Sequence, residues 1–593
     1  MLFRLLPAAL LALISVAHAA PTRNSCKCAP GDKCWPSTSD WAHFNTTVSG
    51  KLIASKPIAI SCYPGPQYDE ATCASVSSNW SSAMWMGEQP GGLDYPLNIT
   101  CPVVQSTANS TITADQCSIG TNPVYAVNAT EVDDVVAAVR FAKEKDLRLV
   151  IKSTGHDILG RSDGFGSLEI WLRYFRNGMT IQSESEYKLS NACKAADWAG
   201  KTMTLDGPYM WGEVYSVAEA SDMIMVGGGA RTVSSIGGWM QGGGHGPASH
   251  YYGLGADQLL EAQVVLASGE VVTANACQNE DLFWAIRGGG PGTYGIVTSA
   301  TMKAHPQVNV AVQRLFIASP AGGSTDNFLD AMATLYGEYP DLVEAGYAGY
   351  PDMQVNGSTA VAGFTTWYTH SLYIFNVTLE EAQAAGQKVL DTMSQFDKTL
   401  TISSSYTTYP DYWTFYNNVG THNASIGYMG ASTNRLLDAK SLSNYTKLRD
   451  TLEVIAGQPG ENVNIALSLV AGGQVWADRS QKSAVLPAWR DTVALVTIGR
   501  VIADASPEEW QEIHDDMTYT KGSALSALAP NTGGYMNEAD AYNPNWATDF
   551  YGSNYKTLSL IKSRYDPTSL FYCPTCVGSE YWEADSVGRL CSV

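Results

Sequence analysis

The chain has 593 residues, 45% of them hydrophobic, so it is too long for a single core and we expect roughly two to four domains. It carries 57 acidic and 36 basic residues, which give a formal net charge of −21. Such an acidic surface repels phosphate groups. This argues against nucleic acid and anionic membranes as partners and favours small neutral substrates.

Residues 1–19 have the pattern of a secretory signal peptide, with an early arginine, a short apolar run and the small-x-small sequence Ala17-His18-Ala19. All 12 cysteines follow it, as expected for a compartment in which disulfides persist. No later stretch has the length of a membrane span without charges, so we expect a soluble protein that is secreted to the extracellular space. Asn-x-Ser/Thr glycosylation sites fit the same compartment. They are at Asn45, Asn79, Asn98, Asn109, Asn128, Asn356, Asn376, Asn423 and Asn444.

Residues 20–117 are rich in Cys, Pro, Ser and Trp and show little periodicity. We therefore predict an irregular N-terminal segment that disulfides hold together. The cysteine pairing does not follow from the sequence, and neither does a function for this segment.

A helix and a strand precede the first stretch that could carry chemistry. Thr130 is the predicted N-cap of a helix with valines at helical spacing, and Leu147, Leu149 and Ile151 then alternate as in a strand. The sequence STGHD follows at residues 153–157, where strand ends commonly present loops to a ligand. Its histidine has no neighbour in sequence with which to form a metal site, so a chemistry that needs a single histidine has to be considered.

The second such stretch, residues 227–255, contains 11 glycines. A flexible linker is one interpretation, but Ile236, Trp239 and Met240 are interleaved with the glycines, and a linker would not carry them. Glycine in packed surroundings lets the backbone approach a ligand closely and leaves N–H groups free for an anion. The composition therefore favours ligand contact.

Residues 263–274 read as a hairpin that turns at Ser268-Gly269, and a short helix and a strand follow it. The loop between them matches G-x-G-x-x-G, but a nicotinamide dinucleotide fingerprint follows a strand and opens a helix, which is the reverse order. P-loop, H-E-x-x-H and G-x-S-x-G motifs are absent from the sequence. His245 and His250 are five residues apart in an irregular loop, so we expect structural histidines there and no metal site.

These stretches, in this order, resemble the vanillyl-alcohol-oxidase/p-cresol-methylhydroxylase flavoprotein superfamily, in its berberine-bridge-enzyme-like branch of secreted oxidases. The resemblance covers about residues 118–305 and 531–573. It implies an α+β fold with a two-part FAD-binding domain of the p-cresol-methylhydroxylase type at 118–305 and a C-terminal return to it at 531–593. Residues 306–530 would form a substrate domain with an antiparallel sheet covered by helices.

By this resemblance FAD is the cofactor, and His156 is joined covalently to the flavin 8α-methyl group. The residues around it, Ser153, Thr154, Gly155 and Asp157, would offer N–H groups and side-chain oxygens to the pyrophosphate. Some relatives attach the flavin a second time through a cysteine, but Ala230 stands at that position, so we expect His156 to be the only link.

The same resemblance implies further cofactor contacts in residues 227–255, called the glycine-rich stretch below, and at the aspartate that follows this stretch. It also implies contacts in the segment GTYGIVTSATMK and near the C-terminus. They are Gly228, Gly229, Thr232, Val233, Gly237, Gly238, Gly242, Gly243, Gly246, Asp257, Gly295, Ile296, Val297 and Asn554.

In residues 306–530 the resemblance is weak. Strands are predicted at 311–318 and 491–501, and amphipathic helices at 379–396 and 506–517. The aromatic stretch TTYPDYWTFYNN at 407–418 could stack on sugars or aromatic alcohols, or it could belong to the core. The sequence does not decide between the two.

Two residues are candidates for the base that takes a substrate proton. Residues 533–546 resemble the family's Y-x-N-Y-x-D segment, with Tyr535 as the first tyrosine and Glu538 in place of the second. In an extended segment these two side chains face opposite sides, so both could reach the flavin only across a kink. We place Tyr535 slightly ahead, and a structural, salt-bridged Glu538 remains an alternative.

The resemblance therefore predicts a secreted oxidase that removes hydride from an alcohol carbon and reduces oxygen to hydrogen peroxide. Its partners would be a small-molecule substrate and oxygen, without nucleic acid or membrane, and we expect a monomer. Two alternatives stay open. One is a flavin dehydrogenase with an acceptor other than oxygen, and the other is a non-catalytic secreted carbohydrate-binding glycoprotein on the same scaffold.

Overall fold

The computed structural model describes residues 25–104, 113–183, 198–357, 361–419, 426–502 and 506–593. The predicted signal peptide lies outside them, as do the glycosylation sites at Asn109 and Asn423. Helices and sheets are mixed throughout the described chain, which confirms the predicted α+β class. No helix in these ranges is long and apolar enough to cross a membrane.

The N-terminal segment is more regular than the composition suggested. It forms α1 (Thr38–Thr47), β1 (Leu52–Ala54), α2 (Glu70–Asn79) and α3 (Ala83–Gly87). The prediction of an irregular segment is wrong at these helices because Ser37, Asp69 and Ser82 cap their first turns, a signal that is present in the sequence. Disulfides do hold the segment together, at Cys28–Cys34, Cys62–Cys73 and Cys101–Cys117, and Cys26–Cys591 ties it to the C-terminus.

The first sheet presents residues 153–157, which contain His156 and are called the histidine loop below. Its strands are β1, β2 (Tyr125–Asn128), β3 (Leu149–Lys152) and β4 (Leu168–Trp171), in the order β1-β2-β4-β3. Helix α4 (Val132–Glu144) packs its buried alanines and valines against this sheet. Glu131 is the N-cap, one residue later than the predicted Thr130, because Asp134 accepts the N–H group of Glu131 in a capping box.

The second sheet is antiparallel and carries the glycine-rich stretch between its strands. Its strands are β5 (Met179–Gln182), β6 (Thr202–Leu205), β8 (Leu259–Val265), β9 (Val271–Asn275) and β10 (Ile296–Lys303), in the order β5-β6-β10-β8-β9, and β7 (Met223–Ile224) pairs with β11 (His305–Pro306). The connecting helices are α5 (Trp211–Ala220), α6 (Gly238–Gln241), α7 (Ser249–Tyr252), α8 (Gly255–Gln258) and α9 (Glu280–Ala285). The predicted hairpin is confirmed as β8 and β9.

The third sheet is large, antiparallel and covered by helices on one face, as expected for residues 306–530. Its strands are β12 (Val310–Ala318), β13 (Ala348–Gly349), β14 (Asp352–Gln354), β15 (Trp367–Phe375), β16 (Thr401–Tyr409), β17 (Met429–Asp438), β18 (Val463–Ser468) and β19 (Thr492–Ile502). They run in the order β16-β12-β15-β14-β18-β19-β17, and β13 pairs with β15.

The helices of this region are α10 (Thr325–Gly337), α11 (Tyr339–Glu344), α12 (Leu379–Met393), α13 (Tyr412–Val419), α14 (Ala439–Ser443), α15 (Tyr445–Ala456), α16 (Gly473–Ala477), α17 (Pro507–Asp515) and α18 (Gly522–Leu528). Buried residues of α10, α12 and α15 form one core with the covered face of the sheet. The side chains of Ile465 and Ile498 point into this core, and those of their neighbours Asn464 and Thr497 point to the opposite face, because side chains alternate along a strand.

The chain ends with α19 (Trp546–Tyr551), α20 (Tyr555–Tyr565), β20 (Trp582–Ala584) and β21 (Leu590–Ser592). The segment after α18 passes along the open face of the third sheet, where the amide of Asn434 donates to the backbone oxygen of Tyr535 at 2.8 Å. Residues 531–593 thus connect the third sheet with the first two.

Candidate active site

A cavity of about 710 Å³ lies between the loops of the first two sheets and the open face of the third. Its walls come from the end of β3, the glycine-rich stretch, the start of β10, strands β17 to β19 and residues 535–538. Distant parts of the chain therefore converge on one space large enough for a cofactor together with a substrate.

The loop after β3 forms a concave stretch of backbone. Gly155 has φ +81°, and a Cβ atom there would lie 2.3 Å from the oxygen of Gly92, so only glycine fits. Within the described chain the backbone N–H groups of Thr154, Gly155 and His156 have no hydrogen-bond acceptor. Successive free N–H groups in a concave loop form a site for an anion such as a pyrophosphate.

All five predicted residues of this loop, 153–157, line the cavity. The carboxylate of Asp157 accepts the N–H groups of Leu159 and Ser162 at 3.0 and 2.8 Å, so it shapes the loop from within. A direct contact of this carboxylate with the pyrophosphate would bring two anions together, and the cofactor role of Asp157 stays a prediction.

His156 contacts a carboxylate that the sequence did not reveal. Its Nδ1 atom lies 2.7 Å from Oδ2 of Asp94, whose side chain is 1% exposed. The ring of Tyr95 meets the imidazole edge to face, with centroids 5.5 Å apart. Both partners come from the N-terminal segment, which carried no functional signal in the sequence.

Part of the glycine-rich stretch lines the cavity. Gly228, Gly229, Val233, Gly237 and Gly238 do so, and Ala230 stands there without a thiol. A Cβ atom on Gly229 would meet nothing within 4 Å, so bare backbone faces the open space. A Cβ atom on Gly237 would lie 3.2 Å from Oγ of Ser153, which shows that this stretch and the histidine loop meet.

Four other predicted cofactor residues of this stretch, Thr232, Gly242, Gly243 and Gly246, are not among the residues that line the cavity. A Cβ atom on Gly242 would lie 2.2 Å from Oδ1 of Asn537, and one on Gly246 would lie 1.7 Å from the oxygen of Gly227. These two glycines allow close packing at the cavity wall, and the assignment of all four residues as cofactor contacts stays a prediction.

Asp257 and Asn554 also lie outside the cavity lining, whereas Gly295, Ile296 and Val297 belong to it. Asp257 is buried and binds Arg490 through both carboxylate oxygens, at 2.7 and 2.8 Å. Asn554 donates to the backbone oxygens of Ala484 and Val485. Both side chains are occupied in structural contacts, and their role as cofactor contacts stays a prediction.

Tyr535 and Glu538 both line the cavity. The segment is not extended: the N–H group of Glu538 donates to the oxygen of Tyr535 at 3.2 Å, so the chain turns between them. The inference from an extended segment, that the two side chains face opposite sides, is therefore wrong. Side chains alternate between two faces only along an extended strand, and a tight turn ends that alternation.

Glu538 is held by a histidine at the cavity wall. Its Oε1 atom lies 3.1 Å from Nε2 of His245, and Oε2 accepts from the hydroxyl of Thr497 at 3.4 Å. The Glu538 side chain is 39% exposed to the cavity, and that of His245 is 8% exposed. Burial acts to raise the pKa of Glu538, but the charge and hydrogen bond of His245 and the bond from Thr497 hold this pKa below its usual value.

Tyr535 has the opposite electrostatic environment. Burial raises the pKa of its phenol, and the carboxylate of Glu538 raises this pKa further. The amide of Asn537 donates to the phenol oxygen at 2.9 Å and lowers the pKa by a smaller amount. Tyr535 is therefore a neutral phenol and Glu538 a carboxylate at neutral pH.

The two histidines of the glycine-rich stretch differ. His250 is buried and its Nδ1 atom lies 2.7 Å from the oxygen of Ala471, in agreement with the predicted structural role. His245 lines the cavity, so the same prediction is wrong for its position. The usable signal in the sequence was its place in a stretch assigned to the cofactor.

The wall formed by the third sheet is polar, with Ser432, Asn464 and Thr497 on adjacent strands and Tyr428 at the rim. The aromatic residues of 407–418 do not reach it. Tyr412, Trp413, Phe415 and Tyr416 are buried in the core that includes α5 and the glycine-rich stretch. For these four residues the structure decides in favour of the core.

The cavity fits FAD. Free backbone N–H groups suit its pyrophosphate, bare glycine backbone and the apolar side chains of Ile296 and Val297 suit its rings, and His156 is available for attachment. The partly buried guanidinium of Arg161 also lines the cavity and would add positive charge.

Comparison with known proteins agrees with this chemistry. A family model described as FAD binding domain matches residues 123–275, and one described as berberine and berberine like matches residues 534–578. FAD-linked oxidoreductase hmp9 of Hypomyces subiculosus is 45% identical over 95% of this chain and 90% of its own length.

Among solved structures, the VAO-type flavoprotein MtVAO713 from Myceliophthora thermophila C1 is 43% identical, with a TM-score of 0.92 over 96% of this chain and 100% of that one. Glucooligosaccharide oxidase from Acremonium strictum, with its 6-S-cysteinyl, 8α-N1-histidyl FAD, is 17% identical, with a TM-score of 0.60 over 86% of this chain and 99% of that one. This second likeness shows the fold alone. The chain therefore belongs to the FAD-linked oxidoreductases of the VAO type that carry a berberine-bridge-like C-terminal segment.

Proposed function

We propose that the protein is an oxidase that removes hydride from an alcohol carbon and passes the electrons to oxygen, which forms hydrogen peroxide. The observation that carries the proposal is a carboxylate, Glu538, that faces the same cavity as the histidine loop. Bound FAD supplies the hydride acceptor. The chain supplies the base, the positioning of the substrate and the exclusion of water.

We propose that FAD is attached through His156 alone. His156 lines the cavity, and Ala230, at the position where some relatives have a second attachment, offers no sulfur. A histidyl FAD in a solved protein of the same fold supports the attachment. The link would anchor the cofactor against the free N–H groups of the loop 153–157.

Glu538 is the proposed base for the substrate hydroxyl. It is charged and exposed to the cavity, and His245 and Thr497 fix both of its oxygens. Tyr535 is the weaker candidate because burial and the nearby carboxylate keep it protonated. His245 is proposed to position Glu538 and to stabilise its charge, and the phenol of Tyr535 to donate a hydrogen bond.

The substrate is proposed to be a neutral small molecule with a hydroxyl group. Polar side chains on β17 to β19 can accept and donate hydrogen bonds to it, and the rings of Tyr95 and Tyr428, whose centroids are 5.7 Å apart, can pack on its apolar parts. Oxygen is the second partner, and the protein is proposed to act as a monomer.

Secretion is proposed as well. The disulfides of the N-terminal segment, the Cys26–Cys591 link and the Cys573–Cys576 link require an oxidising compartment to form and persist. Mass spectrometry of the protein recovered from culture medium checks this, since it shows both the mature N-terminus and any glycans.

The experiment that tests the function is a screen of alcohols, phenolics and oligosaccharides against the purified protein, with hydrogen peroxide as the readout. A yellow protein that forms peroxide with a substrate supports the proposal. A yellow protein that is bleached by a substrate but forms no peroxide would be a dehydrogenase. A colourless protein that binds saccharides would be the non-catalytic alternative.

A further inference from the structure

Gly499 lies on β19, on the face of the third sheet that lines the cavity. Its Cα atom is paired with that of Asn464 on one neighbouring strand and with that of Ser432 on the other. Asn464 and Ser432 line the cavity as well. Gly499 is therefore the floor of a hollow in the sheet, with these two polar residues on its sides.

The fold itself does not require a glycine at position 499. Its φ lies outside the left-handed region, and an added Cβ atom would meet no atom within 4 Å beyond its chain neighbours. The pairing of β19 with β17 and β18 continues through this residue without a bulge. Glycine weakens a strand, because it gives the unfolded chain more freedom and packs no side chain. Close approach of a ligand is the remaining reason for a glycine there.

The hollow lies beside the proposed base. Thr497, two residues before Gly499 and about 7 Å from it along the strand, donates to Oε2 of Glu538 at 3.4 Å. The hydroxyl of Ser432 donates to the backbone oxygen of Glu538 at 2.8 Å. Both contacts hold Glu538 at the edge of the hollow. A substrate whose hydroxyl meets this carboxylate has space above Gly499 for the group on its carbinol carbon.

The hollow offers few hydrogen-bond donors. Ser432 and Thr497 give their protons to Glu538, so toward a substrate they act as acceptors. The side chain of Asn464 is exposed to the cavity, and Val501, two residues beyond the glycine, adds an exposed apolar side chain. This suits a flat, mainly apolar group with one polar substituent. A saccharide fits less well, because each of its many hydroxyl groups needs a partner when it leaves water.

We propose that Gly499 determines the size of the group that a substrate can carry on its carbinol carbon, and that this group is a flat, mainly apolar ring. The inference rests on the function proposed above and extends it to the substrate class. Gly499 acts through the side chain that it lacks: a larger residue would project its Cβ atom into the space that the ring occupies.

The test places side chains of increasing size at this position, in Gly499→Ala and Gly499→Val. The control is Ser403→Val, which adds the same side chain at an exposed position on β16 of the same sheet, outside the cavity lining. Benzyl alcohol and allyl alcohol are the reacting probes, because both have an activated carbinol carbon and only the first carries a ring. Phenol is the non-reacting probe, since it has a ring and a hydroxyl but no carbinol hydrogen.

Three measurements are made on each protein loaded with FAD. Stopped-flow absorbance without oxygen gives the second-order rate constant of flavin reduction by each alcohol. Titration of the flavin absorbance gives the Kd of phenol, and thermal unfolding gives the stability. Binding of phenol and stability do not depend on turnover, so they report on the hollow even where no alcohol reacts.

We expect Gly499→Val to weaken phenol binding and to slow reduction by benzyl alcohol by about tenfold or more, the effect of overpacking an occupied space. Reduction by allyl alcohol should change much less, and Gly499→Ala should lie between wild type and Gly499→Val. Ser403→Val should match wild type with every probe. Both variants of Gly499 should unfold at or above the wild-type temperature, because a side chain that meets nothing stabilises a strand relative to glycine.

Equal losses with the two alcohols would overturn the role of Gly499, as would unchanged binding of phenol in Gly499→Val. A Gly499→Ala protein that unfolds below the wild-type temperature would show that the fold needs the glycine, which also contradicts the inference. Wild-type protein that does not bind phenol, or that oxidises glucose in preference to benzyl alcohol, would overturn the ring. Flavin that no alcohol reduces would instead contradict the proposed function, and phenol binding would still decide the role of Gly499.

Discussion

Glu538 is the residue on which the proposed chemistry depends most directly, because its carboxylate is exposed to the cavity and is the proposed base. We expect Glu538→Gln to slow anaerobic reduction of the flavin by about 100-fold or more with the flavin fully loaded, since a general base contributes about that factor. Tyr535→Phe should slow it by less than about tenfold, the loss of one hydrogen bond. Stopped-flow absorbance at the flavin bands measures both rates.

The control for this pair is Glu583→Gln, an exposed glutamate on β20. Equal reduction rates in Glu538→Gln and in wild type would show that the base lies elsewhere. If Tyr535→Phe lost more activity than Glu538→Gln, the roles of the two residues would be exchanged.

The pH dependence of reduction separates the same two residues. The folded protein holds the pKa of Glu538 below the usual value of 4.5, against a contribution of burial in the other direction. Glu538 thus loses its charge only in acid, and the reduction rate should be constant from about pH 6 to pH 9 and fall below about pH 4. A tyrosine whose pKa is raised would instead make the rate climb in alkali. Stopped-flow measurement of the reduction rate across this pH range distinguishes the two residues. A rate that climbs above pH 9 would contradict the role of Glu538 as the base.

The sequence predicted the histidine loop, part of the glycine-rich stretch, the start of β10 and residues 535 and 538, which together are a minority of the residues that line the cavity. The resemblance pointed to His156 and its loop because these are consecutive residues in a recognisable order. Asp94 could not be found in this way, since it reaches His156 through folding of a segment 62 positions away that has no motif. Asp257 and Asn554 lie outside the cavity lining, and a position in a motif does not tell whether a side chain turns toward the ligand or away from it.

The loop after β3 is the element that places the cofactor, and its shape depends on one glycine. Gly155→Ala puts a Cβ atom 2.3 Å from the oxygen of Gly92 at a φ of +81°. Strain and overpacking together should lower the free energy of unfolding by about 2 kcal/mol or more. The flavin content per protein should fall as well, because the free N–H groups of the loop move.

Gly337→Ala is the matched control. Gly337 ends α10 and is exposed, and a Cβ atom there meets only the oxygen of Leu442, at 3.9 Å. This variant should leave stability unchanged or raise it by up to about 1 kcal/mol. Thermal unfolding and the ratio of flavin to protein absorbance check both variants, and a Gly155→Ala protein with wild-type values would refute the role of this loop.

Helices and strands were predictable where the spacing of apolar residues was strongly periodic. Helix α4, the β8–β9 hairpin and strands β12 and β19 all appear where the sequence pattern placed them. The N-terminal helices were missed because their apolar residues are few and the interpretation relied on periodicity instead of caps. The turn at residues 535–538 depends on contacts with the third sheet, which local sequence does not encode.

The Cys26–Cys591 disulfide joins the two ends of the described chain across a sequence separation of 565 residues, whereas Cys28–Cys34 spans 6. A cross-link stabilises a fold by restricting the unfolded chain, and more so when the closed loop is long. Replacing both cysteines of the long link with serine should cost about 4 kcal/mol or more, and the same change in the short link about 2 kcal/mol. Thermal unfolding of the two double variants tests this order, and the reverse order would contradict it.

The resemblance predicted the α+β class and the covered antiparallel sheet, and the structure has both. It did not give the way in which both termini meet. The backbone of the N-terminal segment forms a β-bridge between Cys28 and Leu147, just before β3. The disulfide Cys26–Cys591 ties the same segment to the last strand, β21. Such contacts between distant segments follow from the packing of the complete chain and have no local signature.

The central claim is that this cavity holds FAD through one bond to His156, and one measurement tests it. The protein is denatured in acid, the precipitate is digested, and the flavin peptides are identified by mass spectrometry. We expect the flavin to stay with the precipitate, the single flavin peptide to contain His156, and His156→Ala to release all of its flavin. Flavin found free in the supernatant of the wild-type protein, or on a peptide from residues 227–240, would contradict attachment through His156 alone.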